Sequence, residues 1–408
     1  MLLAALALSA PAFASEKPTG SLGSVPSQTG KLATRTEIIA ERNETAMLSL
    51  GSERAMRQAI AMYREIAGSG GWQSISAKRL SKGDKHEQVF LLRRRLAIEG
   101  YLSSEAMDNP SLKFDGELAG ALKAFQANHG LLVTGKLDVK TRDELNVPAE
   151  FRLATLEANG PRISEYMKGL GARNILVNIP AAQLEAVNLG VVYARHNVVV
   201  GKIERPSPAV VSKVTEINFN PFWNVPVSIV DRDLIPKLIV DPHAMEKMNI
   251  RIFDGFKGPE IEPSSVDWTT TLADRFFFRQ DPGPENSLAT MKINFANAFN
   301  VYMHDTPHRE FFERNARFES SGCVRVDKVA DLVNWVLNGQ DGFDMGLIEE
   351  IVASVERKDV RVRNAPDVRL MYLTAWATED GRIQFRPDIY HLDGTGFILG
   401  QPEPPSGI

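Results

Sequence analysis

The chain has 408 residues, of which 43% are hydrophobic, so it can bury the cores of two or three domains. Its formal net charge of -4 gives no sign of the basic surface by which proteins bind nucleic acid. A single cysteine excludes a disulfide within the chain.

The N-terminus carries the pattern of an export signal. Residues 1–14 are rich in leucine and alanine and end in Ala12-Phe13-Ala14, although basic residues are missing at their start. An apolar run with an A-x-A site predicts a signal peptide over 1–14. Residues 15–45 are rich in Ser, Thr, Gly and Pro, which predicts a flexible linker. No later apolar run is long enough to span a bilayer.

Helical periodicity follows the linker. Residues 46–80 place apolar side chains at helical spacing, and residues 148–172 do the same, so these two segments can pack together as a split helical scaffold. Between them, residues 81–147 predict a compact unit of three helices. The apolar positions are Val89, Leu92 and Leu96 in the first helix and Leu118, Leu122 and Phe125 in the second, and the third helix carries Thr141 and Leu145.

The three-helix unit carries a recognisable pattern, Phe125-Gln126-Ala127-Asn128-His129-Gly130-Leu131, followed by Gly135, Thr141 and Leu145. This pattern resembles that of a peptidoglycan-binding domain. The resemblance implies that residues 81–147 bind the glycan of the cell wall. The alternative is a three-helix spacer without a ligand.

From Asn174 the chain changes to short runs of β-branched residues separated by Pro and Gly, which predicts a β-rich domain. Residues 231–292 interrupt this pattern, and an insert of that length predicts a lid or a binding loop. A helix is predicted over 327–337, and residues 351–408 are predicted to form a β-rich C-terminal extension. The predicted strands are 174–179, 184–187, 191–195, 197–201, 214–219, 360–362 and 369–373.

The lone cysteine, Cys323, follows two serines and a glycine in Ser320-Ser321-Gly322-Cys323-Val324-Arg325. A thiol attacks as its thiolate and therefore needs a base or a cation nearby. His304 directly follows a predicted strand and is the candidate base. The backbone N–H groups of Gly322 and Cys323 can stabilise an oxyanion, and Arg325 can hold a carboxylate. Such a set suits acyl transfer.

Each candidate also has a structural interpretation. A lone cysteine is often a small buried hydrophobe. Ser320 and Ser321 are candidates for substrate binding, with turn capping as the alternative, and His308 is expected to be a loop histidine. Tyr302 and Trp223 are candidate substrate contacts. The aromatic run at 276–278 could extend a peptide platform, with a place in the core as the alternative.

His304 together with the cysteine hexapeptide resembles the signature of the L,D-transpeptidase (YkuD-type) catalytic domain. Two other stretches agree with its larger periplasmic branch, 220–229 and 279–286. Ser321 stands where the wider family has histidine, and Ala289 where the branch has glycine. The resemblance implies an α+β multidomain protein with a β-rich catalytic domain over 173–350, an inserted lid, the helical scaffold and the three-helix peptidoglycan-binding module.

The resemblance also implies a reaction. Cys323 would attack the diaminopimelate–D-alanine bond of a tetrapeptide stem and pass the acyl group to an amine. That amine would belong to a second stem, giving a 3→3 cross-link, to a D-amino acid, or to an outer-membrane protein or lipoprotein. The implied protein is a periplasmic, wall-associated enzyme of a Gram-negative-type envelope, involved in cell-wall organisation and cell shape. It is acylated by carbapenems, needs no metal or cofactor and binds no nucleic acid.

Two alternatives stay open. Water could be the acceptor, which would make the protein an L,D-carboxypeptidase or amidase, or the chain could bind the wall without catalysis. Other classes are disfavoured by missing motifs. A penicillin-binding serine enzyme would need Ser-Asp-Asn and Lys-Thr-Gly, and a zinc peptidase would need His-Glu-x-x-His.

Overall fold

The computed structural model describes residues 45–395. The predicted signal peptide over 1–14 lies outside the described residues, as do residues 15–44 of the predicted linker and residues 396–408 of the predicted C-terminal extension. In the part that is described, none of the helices combines the length and apolarity needed to cross a membrane. The predicted α+β multidomain class is confirmed, because a helical N-terminal region that contains a three-helix unit precedes a β-rich domain.

From residue 45 onwards, the described N-terminal region contains five α-helices whose apolar spacing matches the sequence periodicity. The first described helix ends at Gly68, and Gly70 and Gly71 follow it with positive φ angles of 87° and 65°. Asp115 and Asp138 cap two later helices by accepting hydrogen bonds from backbone N–H groups. The helices are α1 (Ser52–Gly68), α2 (Gln88–Ile98), α3 (Gly116–Asn128), α4 (Val139–Leu145) and α5 (Ala149–Met167).

The three-helix unit has a core of its own, and its sequence pattern is used to build that core. Gln126 is fully buried, and its side-chain oxygen accepts hydrogen bonds from the backbone N–H groups of Thr134 (2.9 Å) and Gly135 (2.8 Å). Its amide nitrogen donates to the carbonyl of Lys136 (2.9 Å) and to Thr141 (3.0 Å). The amide oxygen and nitrogen of Gln126 are thus both hydrogen-bonded within the unit, so the role of this side chain is structural.

Within the described residues, fifteen strands follow these helices, and ten of them form one sheet. The neighbour order is β10-β3-β11-β9-β8-β4-β13-β1-β2, with β12 also pairing with β4. Because β2 pairs with β3 as well, the sheet curls back on itself. The strands are β1 (Arg173–Asn178), β2 (Gln183–Asn188), β3 (Val191–Gly201), β4 (Val210–Phe219), β5 (Trp223–Asn224), β6 (Ile250–Phe253), β7 (Phe277–Gln280), β8 (Met291–Phe295), β9 (Met303–His304), β10 (Phe318–Ser320), β11 (Val324–Val326), β12 (Lys358–Arg361), β13 (Asp367–Met371), β14 (Ala375–Ala377) and β15 (Ile383–Phe385).

Two features of this sheet differ from the sequence prediction. The two strands predicted within 191–201 are one strand, β3, whose first part pairs with β2 and whose last residues pair with β10 and β11. In addition, β13 belongs to the segment predicted as a C-terminal extension, yet it lies between β1 and β4 and runs parallel to β1. The β-rich domain therefore includes this late part of the chain.

The insert forms a small unit with its own core. Its three-stranded sheet has the order β5-β7-β6 and packs with short helical turns around Trp223, Trp268 and Phe278. Phe276 and Phe278 are buried in that core, which supports the core interpretation of the aromatic run. The end of the predicted insert overlaps β8, which belongs to the main sheet. The insert helices are α6 (Val227–Ile229), α7 (Ile235–Val240) and α8 (Ala244–Lys247), with a π-helical turn between α6 and α7.

Two helices pack on the main sheet after the cysteine. The predicted helix is α9 (Val329–Leu337), and a second helix, α10 (Met345–Ser354), was not predicted. Leu332 and Val333 of α9 and Ile348 of α10 are fully buried against the strands. Burial of this apolar face fixes β11, and with it the cysteine, against the sheet.

The helical scaffold and the three-helix unit meet at a buried polar junction. His129 lies between the rings of Phe125 (3.9 Å between centroids) and Phe385 (5.2 Å). Its Nδ1 is 2.9 Å from Glu144, which also pairs with Arg152 at 2.6 Å. Burial lowers the pKa of His129 to about 4, because a charged imidazole would lose its hydration there.

This junction predicts a stability that depends on pH. In the unfolded chain His129 is protonated near pH 6.5, whereas in the folded chain it is protonated only near pH 4. The free energy of unfolding should therefore fall as the pH drops from 6.5 towards 4, by up to about 3 kcal/mol from this group. His196 and His304 are also buried with lowered pKa values and should contribute in the same direction.

The measurement is urea unfolding of wild type and of His129→Gln across this pH range. The variant should lose less stability on acidification than wild type does. His308→Gln is the matched control, because His308 is exposed. An identical pH dependence in His129→Gln and wild type would contradict the prediction.

Candidate active site

The pairing of β9 with β11 places the predicted site residues on one face of the sheet. These strands are parallel, with Val324 opposite Met303 and Arg325 opposite His304. Met303 and Val324 point into the main core. Because side chains alternate along a strand, the residues beside them point the other way. This polar face therefore holds four predicted residues: Tyr302, His304, Cys323 and Arg325.

His304 is buried and held in one tautomer. Its Nδ1 lies 2.5 Å from the backbone oxygen of Asp305, so this nitrogen carries the proton and donates, which leaves Nε2 as a base. Burial, the charge of Arg325 and that of Lys292 together lower the pKa of His304 to about 3. The imidazole is therefore neutral at physiological pH.

The turn after His304 is fixed by a carboxylate. Asp305 is fully buried and accepts hydrogen bonds from Thr290 (2.6 Å) and from Arg309 (3.0 Å). Its own N–H donates to the carbonyl of Met291 in β8 (3.0 Å). These contacts hold the peptide whose oxygen orients His304.

Cys323 is half-buried, and burial raises the pKa of its thiol. Hydrogen bonds from the backbone and the hydroxyl of Tyr302, and the charges of Lys292 and Arg325, act in the opposite direction. In the described residues Cys323 and His304 share no hydrogen bond. They lie on the same face of the sheet, since Cys323 directly precedes Val324 and His304 directly follows Met303, the residue opposite Val324. Catalytic hydrogen bonds often shorten only when substrate is bound.

Tyr302 and Trp223 connect the thiol to the insert. Trp223 is only 9% exposed and belongs to the core of the insert, against which Tyr302 packs. Tyr302 in turn acts on Cys323, because it lowers the pKa of the thiol against the effect of burial. Trp223 is thus a buried residue of the insert core, and the substrate contact expected of it from the sequence stays a prediction.

Two cations flank the thiol without an acidic partner. Lys292 of β8 lies opposite His304, and its Nζ is 4.2 Å from the centre of the Tyr302 ring. Arg325 lies over Phe311, 5.4 Å from the ring centre. Among residues 45–395 neither forms an ion pair within 4.0 Å, and burial lowers the pKa of both. Half-buried cations of this kind are suited to binding anionic groups of a ligand.

The loop before the thiol is held by Ser320. Its Oγ donates to the carbonyl of Cys323 (2.6 Å) and accepts from the N–H of Gly322 (3.1 Å). Gly322 has a φ of 112°, a conformation that side chains disfavour. The Gly322 N–H, which the sequence suggested as an oxyanion donor, is already donated to Ser320 within the loop. The Cys323 N–H is therefore the remaining candidate for that task. Ser320 accordingly has an orienting role.

Ser321 is exposed and meets the insert through Arg205. One nitrogen of Arg205 donates to Ser321 Oγ at 3.0 Å, and another donates to Asp233 of the insert at 2.9 Å. The Arg205–Asp233 contact uses both oxygens of the carboxylate. The guanidinium therefore ties the cysteine loop to the insert, next to the thiol.

His308 is exposed and 3.5 Å from Glu310, as expected of a loop histidine. Sequence reasoning missed Lys292, Asp305 and Arg205 as parts of the site. Lys292 alternates with buried Met291 and Ile293, so it could have been found as the polar position of an amphipathic strand. Arg205 lies in the loop between β3 and β4, where the sequence carries no motif that would mark it as part of the site.

A cavity of about 820 Å³ lies within the insert region and is separate from these residues. It is lined mainly by acidic and proline residues of 246–286. Neither Cys323 nor His304 lines it.

Two family models match the chain. The model described as "L,D-transpeptidase catalytic domain" (YkuD) matches residues 172–352, which contain the polar face with Cys323 and His304. The model described as "Putative peptidoglycan binding domain" matches residues 85–145, which form the three-helix unit. Each match falls where the structure shows a separate hydrophobic core.

Individual proteins are similar to parts of the chain. A Haemophilus influenzae protein named "Putative L,D-transpeptidase" is 34% identical over 220 residues, which are 54% of this chain and 44% of that protein. The match thus spans less than half of that relative's length.

Solved structures are similar at low identity. An L,D-transpeptidase from Mycobacterium smegmatis matches with 12% identity and a TM-score of 0.25, over 49% of this chain and 58% of that one. One from Xylanimonas cellulosilytica matches with 14% identity and a TM-score of 0.23, over 73% of this chain and 100% of that one. These scores are too low to add to the assignment, which depends on the family models and the curated relative. Residues 172–352 therefore match the catalytic domain of YkuD L,D-transpeptidases, and the putative peptidoglycan-binding domain matched over 85–145 precedes them.

Proposed function

We propose that this protein is a peptidoglycan L,D-transpeptidase in which Cys323 is the nucleophile and His304 the general base. The observation that carries the proposal is the parallel register of β9 and β11, which puts a neutral histidine and the only thiol on one polar face. The matched catalytic domain supports it.

The proposed acylation begins with a neutral pair. His304 Nε2 removes the thiol proton as the sulfur attacks the carbonyl between diaminopimelate and the terminal D-alanine of a tetrapeptide stem. The Cys323 N–H stabilises the oxyanion, and Tyr302 holds the thiolate by its hydroxyl. The imidazolium then gives its proton to the nitrogen of the leaving D-alanine. A thioester and free D-alanine result.

The second half-reaction transfers the acyl group. An amine attacks the thioester, His304 accepts the amine proton, and the thiol is regenerated when that proton returns to the sulfur. With the side-chain amine of a second stem the product is a 3→3 cross-link. A D-amino acid or a protein amine in the outer membrane would give exchange or anchoring by the same steps.

Lys292 and Arg325 supply the proposed substrate contacts. The donor stem carries several carboxylates, and each cation is half-buried without an acidic partner among the described residues. A charge-assisted hydrogen bond to a carboxylate would satisfy each of them. Lys292 and Arg325 therefore select an anionic donor and fix its scissile carbonyl at Cys323.

The remaining parts fit a wall enzyme. The N-terminal export pattern supports a periplasmic location, and the domain matched over 85–145 supports contact with the glycan. The insert, tied to the loop by Arg205, would cover the thioester and limit its hydrolysis by water.

The first test incubates the purified protein with a disaccharide-tetrapeptide and analyses the products by mass spectrometry. We expect D-alanine release and a dimer linked between two diaminopimelates, because the thioester passes to the amine of a second stem. Cys323→Ala should abolish both products, and Ser212→Ala, which removes a hydrogen bond to Ala296 elsewhere on the sheet, should retain them.

If D-alanine is released and a tripeptide is the sole other product, water is the acceptor and the protein is a hydrolase instead of a transferase. Wild type that neither releases D-alanine nor gains the mass of a carbapenem at Cys323 would overturn the proposed chemistry.

The pH dependence of kcat/KM should report the neutral histidine. Its acid limb follows protonation of His304, whose pKa is lowered from 6.5 to about 3, so activity should persist well below pH 6.5. Removing the positive charge of Arg325 should raise that pKa, and Arg325→Met should therefore move the acid limb towards higher pH. An acid limb at 6.5 in wild type would contradict a buried, neutral base.

Lys292→Met should weaken the use of anionic donors. Loss of one charge-assisted hydrogen bond costs about 1.5–3 kcal/mol, so kcat/KM should fall roughly 10- to 100-fold. A donor in which the carboxylate held by Lys292 is amidated should show no further loss in the variant. Lys358→Met is the matched control, since Lys358 also lies over an aromatic ring, 5.7 Å from the centre of Phe343. Equal losses with all donors would argue against a carboxylate contact.

A further inference from the structure

The peptide bond between Gly322 and Cys323 is oriented by a residue far away in sequence. Ser207, in the loop between β3 and β4, donates a hydrogen bond from its Oγ to the carbonyl oxygen of Gly322 at 2.7 Å. In a trans peptide the C=O and the N–H of the same plane point in opposite directions. The contact with Ser207 therefore aims the Cys323 N–H away from Ser207.

That N–H is the donor left for the oxyanion. The neighbouring Gly322 N–H is donated to Ser320, and within residues 45–395 the N–H of Cys323 has no acceptor. Ser207 itself is only 4% exposed, so water does not compete freely for its hydroxyl. The direction of the one free donor beside the nucleophile thus depends on a buried serine.

Ser207 is held in turn by Tyr390. The Ser207 N–H donates to the Tyr390 hydroxyl at 3.2 Å, and that hydroxyl donates to the carbonyl of Gly201. The N–H of Gly201 donates back to Ser207 Oγ at 2.9 Å. Three residues therefore close a ring of hydrogen bonds that leaves the hydroxyl hydrogen of Ser207 for Gly322.

Tyr390 belongs to a rigid turn in the C-terminal part of the chain. Its ring stacks on Tyr372 with centroids 5.4 Å apart, and its N–H donates to the Tyr372 hydroxyl at 2.8 Å. That hydroxyl donates to Asp388 at 2.5 Å. The turn lies beyond residue 352, where the match to the catalytic-domain model ends.

From this chain of contacts we infer that Ser207 and Tyr390 are positioning residues for acylation, and that the C-terminal turn sets the direction of the Cys323 N–H. The inference rests on the proposed acyl transfer at Cys323. Neither residue touches the substrate; both act through the Gly322–Cys323 peptide. Removing the Ser207 hydroxyl frees that peptide to rotate, and the donor then spends less time aimed at the oxyanion.

The test compares two reactions of the same thiol. Acylation by a carbapenem passes through an oxyanion, whereas alkylation by iodoacetamide does not. Ser207→Ala should lower the acylation rate constant roughly 10- to 100-fold, because a poorly placed oxyanion donor costs about that much. Tyr390→Phe should lower it by a smaller factor, since Ser207 Oγ remains. Alkylation should stay within about two-fold of wild type in both variants.

The controls separate positioning from folding. Ser212→Ala removes a comparable serine-to-carbonyl hydrogen bond, to Ala296 at 2.6 Å, elsewhere on the sheet, and should change neither rate. Ser207→Thr keeps the hydroxyl and should retain most of the acylation rate, with thermal unfolding of every variant measured in parallel.

Wild-type acylation in Ser207→Ala would overturn the inference while leaving the proposed function intact. A parallel fall of acylation and alkylation would also overturn it, because general loosening lowers both. Wild type that is alkylated but never acylated would overturn the proposed function and this inference together.

Discussion

The parallel pairing of β9 with β11 is the constraint on which the site depends. Each strand contributes only a few residues, and the register decides which side chains share a face. Met303 and Val324 are buried in the main core, and burial of each side chain contributes about 1.5–3 kcal/mol. A slip of one residue would bury the polar side chains and expose the apolar ones. The hydrophobic core therefore fixes the positions of His304 and Cys323.

The electrostatics of the site follow from burial. Desolvation lowers the pKa of His304 and raises that of Cys323, so both groups are neutral before substrate arrives. A neutral pair suits a base that takes the thiol proton during attack. Lys292 and Arg325 favour the thiolate and disfavour the imidazolium, so they assist attack by charge and keep the base unprotonated.

Distant segments converge on the cysteine loop from two sides. Arg205 joins Ser321 to Asp233 of the insert, and Ser207 joins Gly322 to Tyr390 near the C-terminus. Both contacts start from the loop between β3 and β4. This loop thus couples the backbone around the nucleophile to the insert and to the last part of the described chain.

Local patterns in the sequence predict many of the helices and strands and two residues of the site. The apolar spacing predicted α1 and the three-helix unit, and the β-branched runs predicted most strands, because amphipathic periodicity is a local property. Cys323 and His304 were predicted as partners because they stand in short patterns of specific chemistry. The sequence alone did not predict Lys292, Arg205 or Ser207 as parts of the site. Strand register brings Lys292 to the site, and contacts of one loop bring Arg205 and Ser207 there. The position of β13 between β1 and β4 likewise depends on the pairing of distant segments. Only the tertiary structure decides such features, because they depend on which distant segments bury their apolar faces against each other.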